Sequence, residues 1–325
     1  MNSIIDSLDS RILVLDGAMG TMIQSYNLDE NDFRGNKFKN HKSPLKGNND
    51  LLSITKPEII KEIHKGYLDA GADIIETNTF SSTSIAMEDY DMQDYVYDLN
   101  FESARIAKEV AKKYSTKKYV AGAIGPTNKT ASMSPDVNDP GFRAITFDEL
   151  VDTYTEQIRG LVDGGCDMLL VETIFDTLNA KAALISISNY FEENKINLPL
   201  MVSGTITDQS GRTLSGQTLN AFLISLSHFP IISIGLNCAL GADQLTPYLR
   251  RLSDNTEFYV STHPNAGLPN AFGEYDQTPK EMLNQIRVYL KENLINIVGG
   301  CCGTTYEHIR LIAEEVKKYK PRKVK

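Results

Sequence analysis

The chain alternates between short apolar runs and longer amphipathic segments. Short apolar runs rich in β-forming residues are typical of buried strands, and apolar positions at helical spacing predict helices. Strands are predicted at Ile12–Asp16, Asp73–Thr77, Tyr119–Ile124, Met168–Glu172, Leu200–Gly204, Ile231–Leu236, Phe258–Thr262 and Ile295–Val298. Helices are predicted at Pro57–Ala70, Leu99–Tyr114, Phe147–Asp163, Thr177–Tyr190, Gln217–Ser227, Ala242–Leu252, Pro279–Lys291 and Tyr306–Lys318.

This alternation favours one closed barrel over an open sheet. Strands that alternate with helices imply a parallel sheet, and eight such pairs close a (β/α)8 barrel. A doubly wound open sheet usually has a glycine-rich dinucleotide turn after its first strand. Here that turn reads Asp16-Gly-Ala-Met-Gly-Thr21 and lacks the third glycine. The sequence therefore predicts an α/β fold, a single (β/α)8 TIM barrel over residues 1–325. Its long strand-to-helix loops, about Ile23–Lys56 and Gly125–Thr146, are expected over the active face.

Composition narrows the classes of function. The chain has 325 residues, 41% of them hydrophobic, and its net charge of -9 argues against binding to nucleic-acid phosphates. No apolar run reaches the roughly 18 residues of a membrane helix, and the N-terminus shows no secretory-signal pattern. We therefore expect a cytoplasmic protein with neither a membrane nor a nucleic-acid partner. The basic tail, residues 317–325, is expected to be solvated or to be the stub of a linker.

Three of the four cysteines follow predicted strands, where barrel enzymes place their chemistry. Cys238 follows the sixth strand, and Cys301 and Cys302 follow the eighth, whereas Cys166 precedes the fourth and is expected to be a packed core thiol. Three reduced thiols without a redox CxxC spacing indicate a soft divalent metal, by default Zn²⁺, with one tetrahedral position open for catalysis. The same residues could instead form an incidental turn near a core cysteine, or a glycine loop that binds an anion.

Seven stretches of the sequence carry a resemblance to a known family. They read Asp16-Gly-Ala-Met-Gly-Thr-Met-Ile-Gln24, Glu76-Thr-Asn-Thr-Phe80, Gly122-Ala-Ile-Gly-Pro-Thr-Asn128, Glu172-Thr-Ile-Phe-Asp-Thr-Leu-Asn179, Gly235-Leu-Asn-Cys-Ala-Leu-Gly241, Pro264-Asn-Ala-Gly-Leu-Pro-Asn270 and Gly299-Gly-Cys-Cys-Gly-Thr304. Together they span nearly the whole chain in order, at matching barrel positions. The chain resembles the homocysteine-binding domain of cobalamin-dependent methionine synthase, within the zinc-dependent homocysteine S-methyltransferase family.

The resemblance implies that Cys238, Cys301 and Cys302 bind zinc and that the sulfur of L-homocysteine takes the open coordination position. Homocysteine bound as a zinc thiolate would then accept a methyl group from methylcobalamin on a partner module and form methionine. Three protein thiolates suit this reaction because their negative charge keeps the substrate sulfur nucleophilic, whereas a histidine site would favour hydrolysis. The sequence lacks the folate, cobalamin and reactivation modules of the full-length synthase, so we expect a polypeptide or further domains that bind cobalamin and folate.

The amino-acid end of homocysteine needs counter-groups. Asp16 and Glu172 end the first and fourth predicted strands and could accept hydrogen bonds from the ammonium group; the family places its homocysteine site at these positions. The backbone N–H groups of Gly17 and Ala18 could bind the carboxylate, since glycine permits close approach. Each acid could also be a carboxylate that caps a turn or a helix.

Asn265 ends the seventh strand and is expected beside the metal. Its amide oxygen could fill the fourth position of zinc until substrate displaces it, although Pro-Asn-Ala-Gly could also be an ordinary turn. His263 is left outside the metal site because a lone histidine before proline is more often structural. Asn237 is expected to support the loop at Cys238.

Several functions remain open from the sequence. The methyl donor could be a small molecule, S-methylmethionine or betaine, used by a stand-alone enzyme. The absence of tryptophan disfavours betaine, because cages for quaternary ammonium groups often use that residue. The chain could also be a metal-free barrel with a phosphate ligand, or a non-catalytic barrel that binds homocysteine and awaits a partner.

Overall fold

The structure is a parallel barrel of eight strands. The computed structural model describes residues 3–207 and 210–324. Its strands are β1 (Leu13–Val14), β2 (Ile74–Glu76), β3 (Tyr119–Ile124), β4 (Met168–Ile174), β5 (Leu200–Gly204), β6 (Ser233–Gly241), β7 (Tyr259–Asn265) and β8 (Ile297–Val298). The sheet order is β1-β8-β7-β6-β5-β4-β3-β2, and a parallel bridge between Leu15 and Ile74 joins β1 to β2 and closes the ring. The predicted (β/α)8 barrel is confirmed.

A helix follows each strand and covers the outside of the barrel. These helices are α1 (Pro57–Asp69), α2 (Val96–Ala111), α3 (Phe147–Asp163), α4 (Thr177–Asn194), α5 (Leu219–Leu226), α6 (Ala242–Asn255), α7 (Pro279–Lys291) and α8 (Tyr306–Val316). Shorter helices lie at Ile4–Ser10, Met19–Gln24, Glu30–Arg34, Leu52–Thr55 and Ser84–Met87. Single 3-10 turns lie at Asn49–Leu51, Glu88–Tyr90 and Gln93–Tyr95. Several of these helices were not predicted, because they are too short to show a clear apolar period.

Three strands extend beyond their predicted ends into polar sequence. The predicted fourth, sixth and seventh strands end at Glu172, Leu236 and Thr262, where a polar residue follows each apolar run. In the structure β4, β6 and β7 continue with irregular register, since the pairing shifts between Val171 and Ile174 and again beyond Asn237. The polar residues at these strand ends are therefore held by the barrel itself, which gives their side chains fixed directions.

The N-terminal helix Ile4–Ser10 closes the amino end of the barrel. Ile4 and Leu8 are buried against apolar side chains that point into the barrel, among them Leu13, Met168 and Ile297. Ser3 caps this helix by accepting a hydrogen bond from the Asp6 N–H. Because side chains fill the barrel interior at the amino end, a substrate can enter only from the opposite end, where the strands have their carboxyl ends.

The C-terminal tail is docked at the amino end, so the expectation that it is solvated is wrong at Arg322. This side chain is 5% exposed, and its guanidinium donates to the carbonyl oxygens of Ser253, Thr256 and Phe258. Arg322 thereby caps the end of α6, a role that composition alone does not indicate. Lys325 lies outside the described residues. Within the described chain, no helix is both long and apolar enough to span a bilayer.

Candidate active site at the carboxyl ends of the strands

The three predicted ligand cysteines meet at the mouth of the barrel. Cys238 lies in β6, and Cys301 and Cys302 follow β8; their Sγ atoms lie within 4.8 Å of one another. Cys238 Sγ and Cys302 Sγ are 3.8 Å apart. Cys166 lies before β4, is 6% exposed, and its burial raises the pKa of its thiol to about 12. The fourth cysteine is therefore an unreactive core residue, as expected.

The backbone near each cysteine is specialised to aim the sulfur atoms. Cys238 and Ala239 adopt left-handed conformations, with φ of +58° and +54°, which are costly for residues that carry a Cβ. The Cys301 N–H donates to the Pro264 carbonyl at 2.8 Å, and the Ala266 N–H donates to the Cys302 carbonyl at 2.9 Å. These bonds hold the cysteine pair against the end of β7.

The spacing of the sulfur atoms fits a tetrahedral zinc ion. With Zn–S bonds of about 2.3 Å, two sulfurs of a tetrahedral site lie about 3.8 Å apart, and Cys238 and Cys302 have this separation. The Oδ1 atom of Asn265 is buried and has no hydrogen-bond partner, which leaves a lone pair free for a ligand. The three soft sulfurs suit Zn²⁺. Hydrogen bonds from Cys238 and Cys301 also hold the pKa of the Cys302 thiol far below its ordinary value.

A second cluster of ionisable groups lies next to the cysteines. The carboxylate oxygens of Glu76 and Glu172 and a ring nitrogen of His263 lie within 4.8 Å of one another. His263 Nε2 is 3.3 Å from Glu172 Oε2 and 4.0 Å from Glu76 Oε1. Asp16 joins this cluster, because its Oδ2 accepts a hydrogen bond from the Glu76 N–H at 3.0 Å. The predicted pair Asp16 and Glu172 therefore belongs to one buried acidic group.

The carboxyl groups of this cluster are protonated more readily than free ones. Burial, followed by the negative charge of Cys302, raises the pKa of Glu172 to about 8. Burial and the charge of Glu172 raise the pKa of Glu76 to about 8, and burial raises the pKa of Asp16 well above its ordinary value. Burial lowers the pKa of His263. A cation placed among these groups would relieve their mutual repulsion.

The raised pKa of Glu76 makes stability depend on pH. Its pKa is about 8 in the folded chain and about 4.3 in an unfolded one, so the folded state binds more protons between these values. The contribution to stability is complete below about pH 4 and is lost as the pH rises through about 8, by up to about 1.4 kcal/mol per pH unit. We expect Glu76→Gln, which cannot ionise, to flatten this decline between about pH 5 and 8. Urea unfolding at a series of pH values measures it, and parallel wild-type and variant curves would contradict it.

The predicted carboxylate binders Gly17 and Ala18 lie at the same mouth. A Cβ on Gly17 would stand 2.7 Å from Thr304 Oγ1, so glycine is required here for the backbone to approach the loop before α8 closely. The Ala18 N–H already donates to Thr304 Oγ1 at 3.1 Å. A substrate carboxylate at Ala18 would have to share or displace this hydroxyl, whereas Gly17 is not subject to that competition.

Apart from Asn265 and the core residue Cys166, these groups line one cavity of about 1070 Å³. The loops predicted over the active face contribute to its wall with Gly47–Asp50 and Pro126–Asn128. The described lining residues include seven carboxylates and no lysine or arginine; the acids are Asp16, Asp50, Glu76, Asp89, Glu172, Glu274 and Asp276. Burial raises the pKa of Asp16, Glu76 and Glu172, but a cationic ligand would favour their ionised forms, so the cavity suits cations better than anions.

Exposed apolar side chains lie at the same end of the barrel as this opening. Seven large ones lie at the carboxyl end of the barrel, six in strand-to-helix segments and Leu178 in the first turn of α4: Phe80, Val137, Phe142, Leu178, Leu214, Leu268 and Phe272. Val137 and Phe272 are the most exposed, at 95% and 89%. We call this set the apolar rim. Exposed apolar surface gathered on one face is typical of a site that contacts another large molecule.

Comparisons with known proteins identify the family to which this chain belongs. The family model described as Homocysteine S-methyltransferase matches residues 13–316. The chain belongs to the homocysteine S-methyltransferase family. It is therefore a methyltransferase. The metallated form of the homocysteine methyltransferase MmuM from Escherichia coli is 21% identical, with a TM-score of 0.72 over 96% of this chain and 98% of that one. The oxidized form of MmuM is 20% identical, with a TM-score of 0.70 over 94% and 96%. At these identities the two structures show a shared fold.

Sequence reasoning left three residues of this family member's site without a role. Glu76 is the last residue of β2, and Asp16 follows β1 by two residues, so both acids stand where a strand ends. His263 was set aside as structural, yet its ring faces both glutamates. Tyr275 lies in the loop before α7 and lines the cavity with Cys302; burial, followed by the charge of Cys302, raises the pKa of its hydroxyl. A Cβ on Gly303 would lie 2.3 Å from the Cβ of Tyr275, so glycine is needed for this approach.

Proposed function

We propose that this chain is a zinc-dependent module that activates L-homocysteine and transfers to it the methyl group of methylcobalamin carried by a partner, forming methionine. The observation that carries the proposal is the meeting of Cys238, Cys301 and Cys302 at the mouth, with two sulfurs at the separation of a tetrahedral zinc site. Family membership supports homocysteine as the methyl acceptor. The homocysteine methyltransferase MmuM, whose fold this chain shares, has a metallated form.

In this proposal, different residues of the site bind the thiol, the ammonium group and the carboxylate of homocysteine. When bound, zinc supplies a positive charge that lowers the pKa of the substrate thiol and keeps it a thiolate at neutral pH. Asp16 and Glu172 accept hydrogen bonds from the ammonium group, and the Gly17 N–H faces the carboxylate. Asn265 Oδ1 would hold zinc in the absence of substrate, at the position that the homocysteine sulfur would take. The three cysteines keep the site rich in negative charge, so that the sulfur remains nucleophilic.

The apolar rim supports a large methyl donor. Homocysteine has eight non-hydrogen atoms and fills a small part of a cavity of about 1070 Å³. An opening of this size leaves room for a bulky donor, and exposed side chains such as Phe272 and Val137 offer a protein-bound corrinoid a surface to contact. A donor fully enclosed by the barrel would not need them.

One observation favours a second candidate, a stand-alone enzyme with a small cationic donor. The cavity wall combines carboxylates with the aromatic side chains Phe80, Tyr90, Phe175 and Tyr275, among described lining residues that include no lysine or arginine. Sulfonium and quaternary ammonium groups are attracted by such a surface. S-methylmethionine and betaine both carry one of these groups.

The third candidate, a metal-free barrel with a phosphate ligand, is disfavoured by the glycine loop. A phosphate cradle needs free backbone N–H groups. The N–H groups of Gly300, Cys301, Gly303 and Thr304 donate within the protein, to Asp16 O, Pro264 O, Thr21 Oγ1 and Cys301 O. The acidic wall of the cavity would also repel a phosphate.

The donor can be tested directly with zinc-loaded protein and homocysteine. We expect methyl transfer from free methylcobalamin, and none above background from S-methylmethionine or betaine, because the open mouth and apolar rim suit a large donor. The measurement is methionine formed per unit time with each donor. Faster transfer from either small molecule would favour the second candidate, and no transfer from any donor would favour a barrel that only binds homocysteine.

The rim provides matched controls for this assay. Phe272→Ser and Ile224→Ser each replace an exposed apolar side chain, but Ile224 lies on α5, outside the apolar rim. If a protein-bound corrinoid docks on the rim, Phe272→Ser raises KM for that donor and Ile224→Ser does not. Equal behaviour of the two variants would count against docking.

A further inference from the structure

Asn237 is a fully buried side chain that links the two halves of the site. It stands on β6 directly before Cys238 and is 0% exposed. Its Oδ1 accepts hydrogen bonds from the Thr173 N–H at 3.0 Å and the Ser203 hydroxyl at 2.7 Å. Its Nδ2 donates to Thr173 Oγ1 at 2.8 Å and to Glu172 Oε2 at 3.4 Å. An amide side chain has two donor and two acceptor positions, so all four are occupied.

The segments that Asn237 joins are both held in unusual backbone conformations. Thr173 on β4 has φ of +53°, and Cys238 on β6 has φ of +58°. Left-handed residues with a Cβ persist where the surrounding structure fixes them, and they cluster at functional sites. The strand pairing of β4 and β6 is also irregular at these points. Asn237 is therefore the contact that fixes two strained strand ends relative to each other across β5.

These strand ends carry different parts of the proposed homocysteine site. Cys238 belongs to the end that receives the sulfur, and Glu172 to the end that receives the ammonium group. Asn237 Nδ2 and His263 Nε2 approach the same oxygen of Glu172, at 3.4 and 3.3 Å, so they hold this carboxylate from two sides. Asn237 and His263 are also register partners in the ladder between β6 and β7.

We infer that Asn237 is a positioning residue that sets the distance between the thiol-binding and ammonium-binding ends of the site. It thereby selects thiols that carry an amino group at the distance found in homocysteine. This inference rests on the proposed function, because it takes homocysteine as the ligand. The discriminating probe is 4-sulfanylbutanoate, which has the thiol and carboxylate of homocysteine but no amino group.

The test compares the two thiols on zinc-loaded wild-type and Asn237→Asp proteins by calorimetry. Aspartate keeps both oxygen acceptors for Thr173 and Ser203 but removes the N–H donor to Glu172. We expect the preference for homocysteine over 4-sulfanylbutanoate to fall about 10- to 100-fold, the range for a hydrogen bond to a charged group. Zinc content should stay at the wild-type value, and affinity for 4-sulfanylbutanoate should change by less than about threefold. Ser203→Ala, which removes a bond that does not reach Glu172, should keep the preference.

Outcomes separate the inference from the proposed function. If Asn237→Asp weakens both thiols equally or loses zinc, Asn237 is structural and the inference fails while the proposed function stands. If the wild-type protein does not bind homocysteine, both fail. Should Asn237→Asp not fold, Thr173→Val, which removes one acceptor of Asn237, should lower the preference in the same direction, and an unchanged preference would overturn the inference. In a Glu172→Gln background the Asn237 effect should disappear, because Asn237 acts through that carboxylate.

Discussion

Replacing Cys302 with alanine should remove zinc and abolish methyl transfer to homocysteine. The Sγ atom of Cys302 lies 3.8 Å from that of Cys238, in the cluster formed by three cysteines. Without Cys302, two sulfur ligands would remain. Loss of an outer contact to a metal ligand already weakens metal binding about 10- to 100-fold, so loss of a ligand should weaken it by more than about 100-fold. Metal analysis after purification without chelator, together with methionine formation, measures both effects.

Cys166→Ala is the matched control for this substitution. It also removes one thiol, but Cys166 is a buried core residue that precedes β4, at the end of the barrel opposite the site. We expect it to cost about 1 kcal/mol of stability through lost packing while zinc content and activity stay at wild-type values. Full zinc content in Cys302→Ala, or loss of zinc in Cys166→Ala, would contradict the proposed metal site.

Glu172→Gln should weaken homocysteine binding about 10- to 100-fold without changing zinc content. Glutamine keeps the shape of the side chain but cannot provide a negative charge for the ammonium group, and a hydrogen bond to a charged group contributes about 1.5–3 kcal/mol. Calorimetry of homocysteine binding, with metal analysis on the same sample, measures the change. Because Glu172 is buried beside Cys302, the metal analysis shows whether the zinc site itself is intact.

Glu274→Gln provides the comparison on the same cavity. Glu274 also lines the wall, but it is exposed on the loop before α7, away from the buried cluster. Glu274→Gln removes the same charge as Glu172→Gln, but Glu274 has no proposed contact with substrate. Homocysteine affinity should therefore change by less than about threefold, as for a screened surface charge. Similar losses in both variants would show that total charge, and not a contact from Glu172, governs binding.

The barrel and the cysteine positions could be predicted because topology determines them. In a parallel barrel all strands end at one mouth, so Cys238 after the sixth strand and Cys301 and Cys302 after the eighth must approach each other however far apart they are in sequence. This reasoning needs the order of the strands and no detail of packing.

Residues whose roles depend on packing could not be predicted in the same way. His263 precedes a proline and has no special spacing, and its contact with both glutamates depends on the register of β7 in the ring. The helix Ile4–Ser10 has just two buried residues, too few for a periodic pattern. Arg322 sits in a basic tail, and its burial depends on carbonyl groups at the end of α6 that composition does not show.

The hydrogen bonds around the glycine loop have a consequence for how the site is assembled. The main chain at Gly300, Cys301 and Gly303 is anchored to two parts of the barrel: to Asp16 and Thr21 in the segment after β1, and to Pro264 in β7. In a zinc finger the ion organises the polypeptide around itself. Here hydrogen bonds within the chain hold the loop, so a metal ion bound by Cys301 and Cys302 would not need to order the backbone, and its removal should leave the barrel folded.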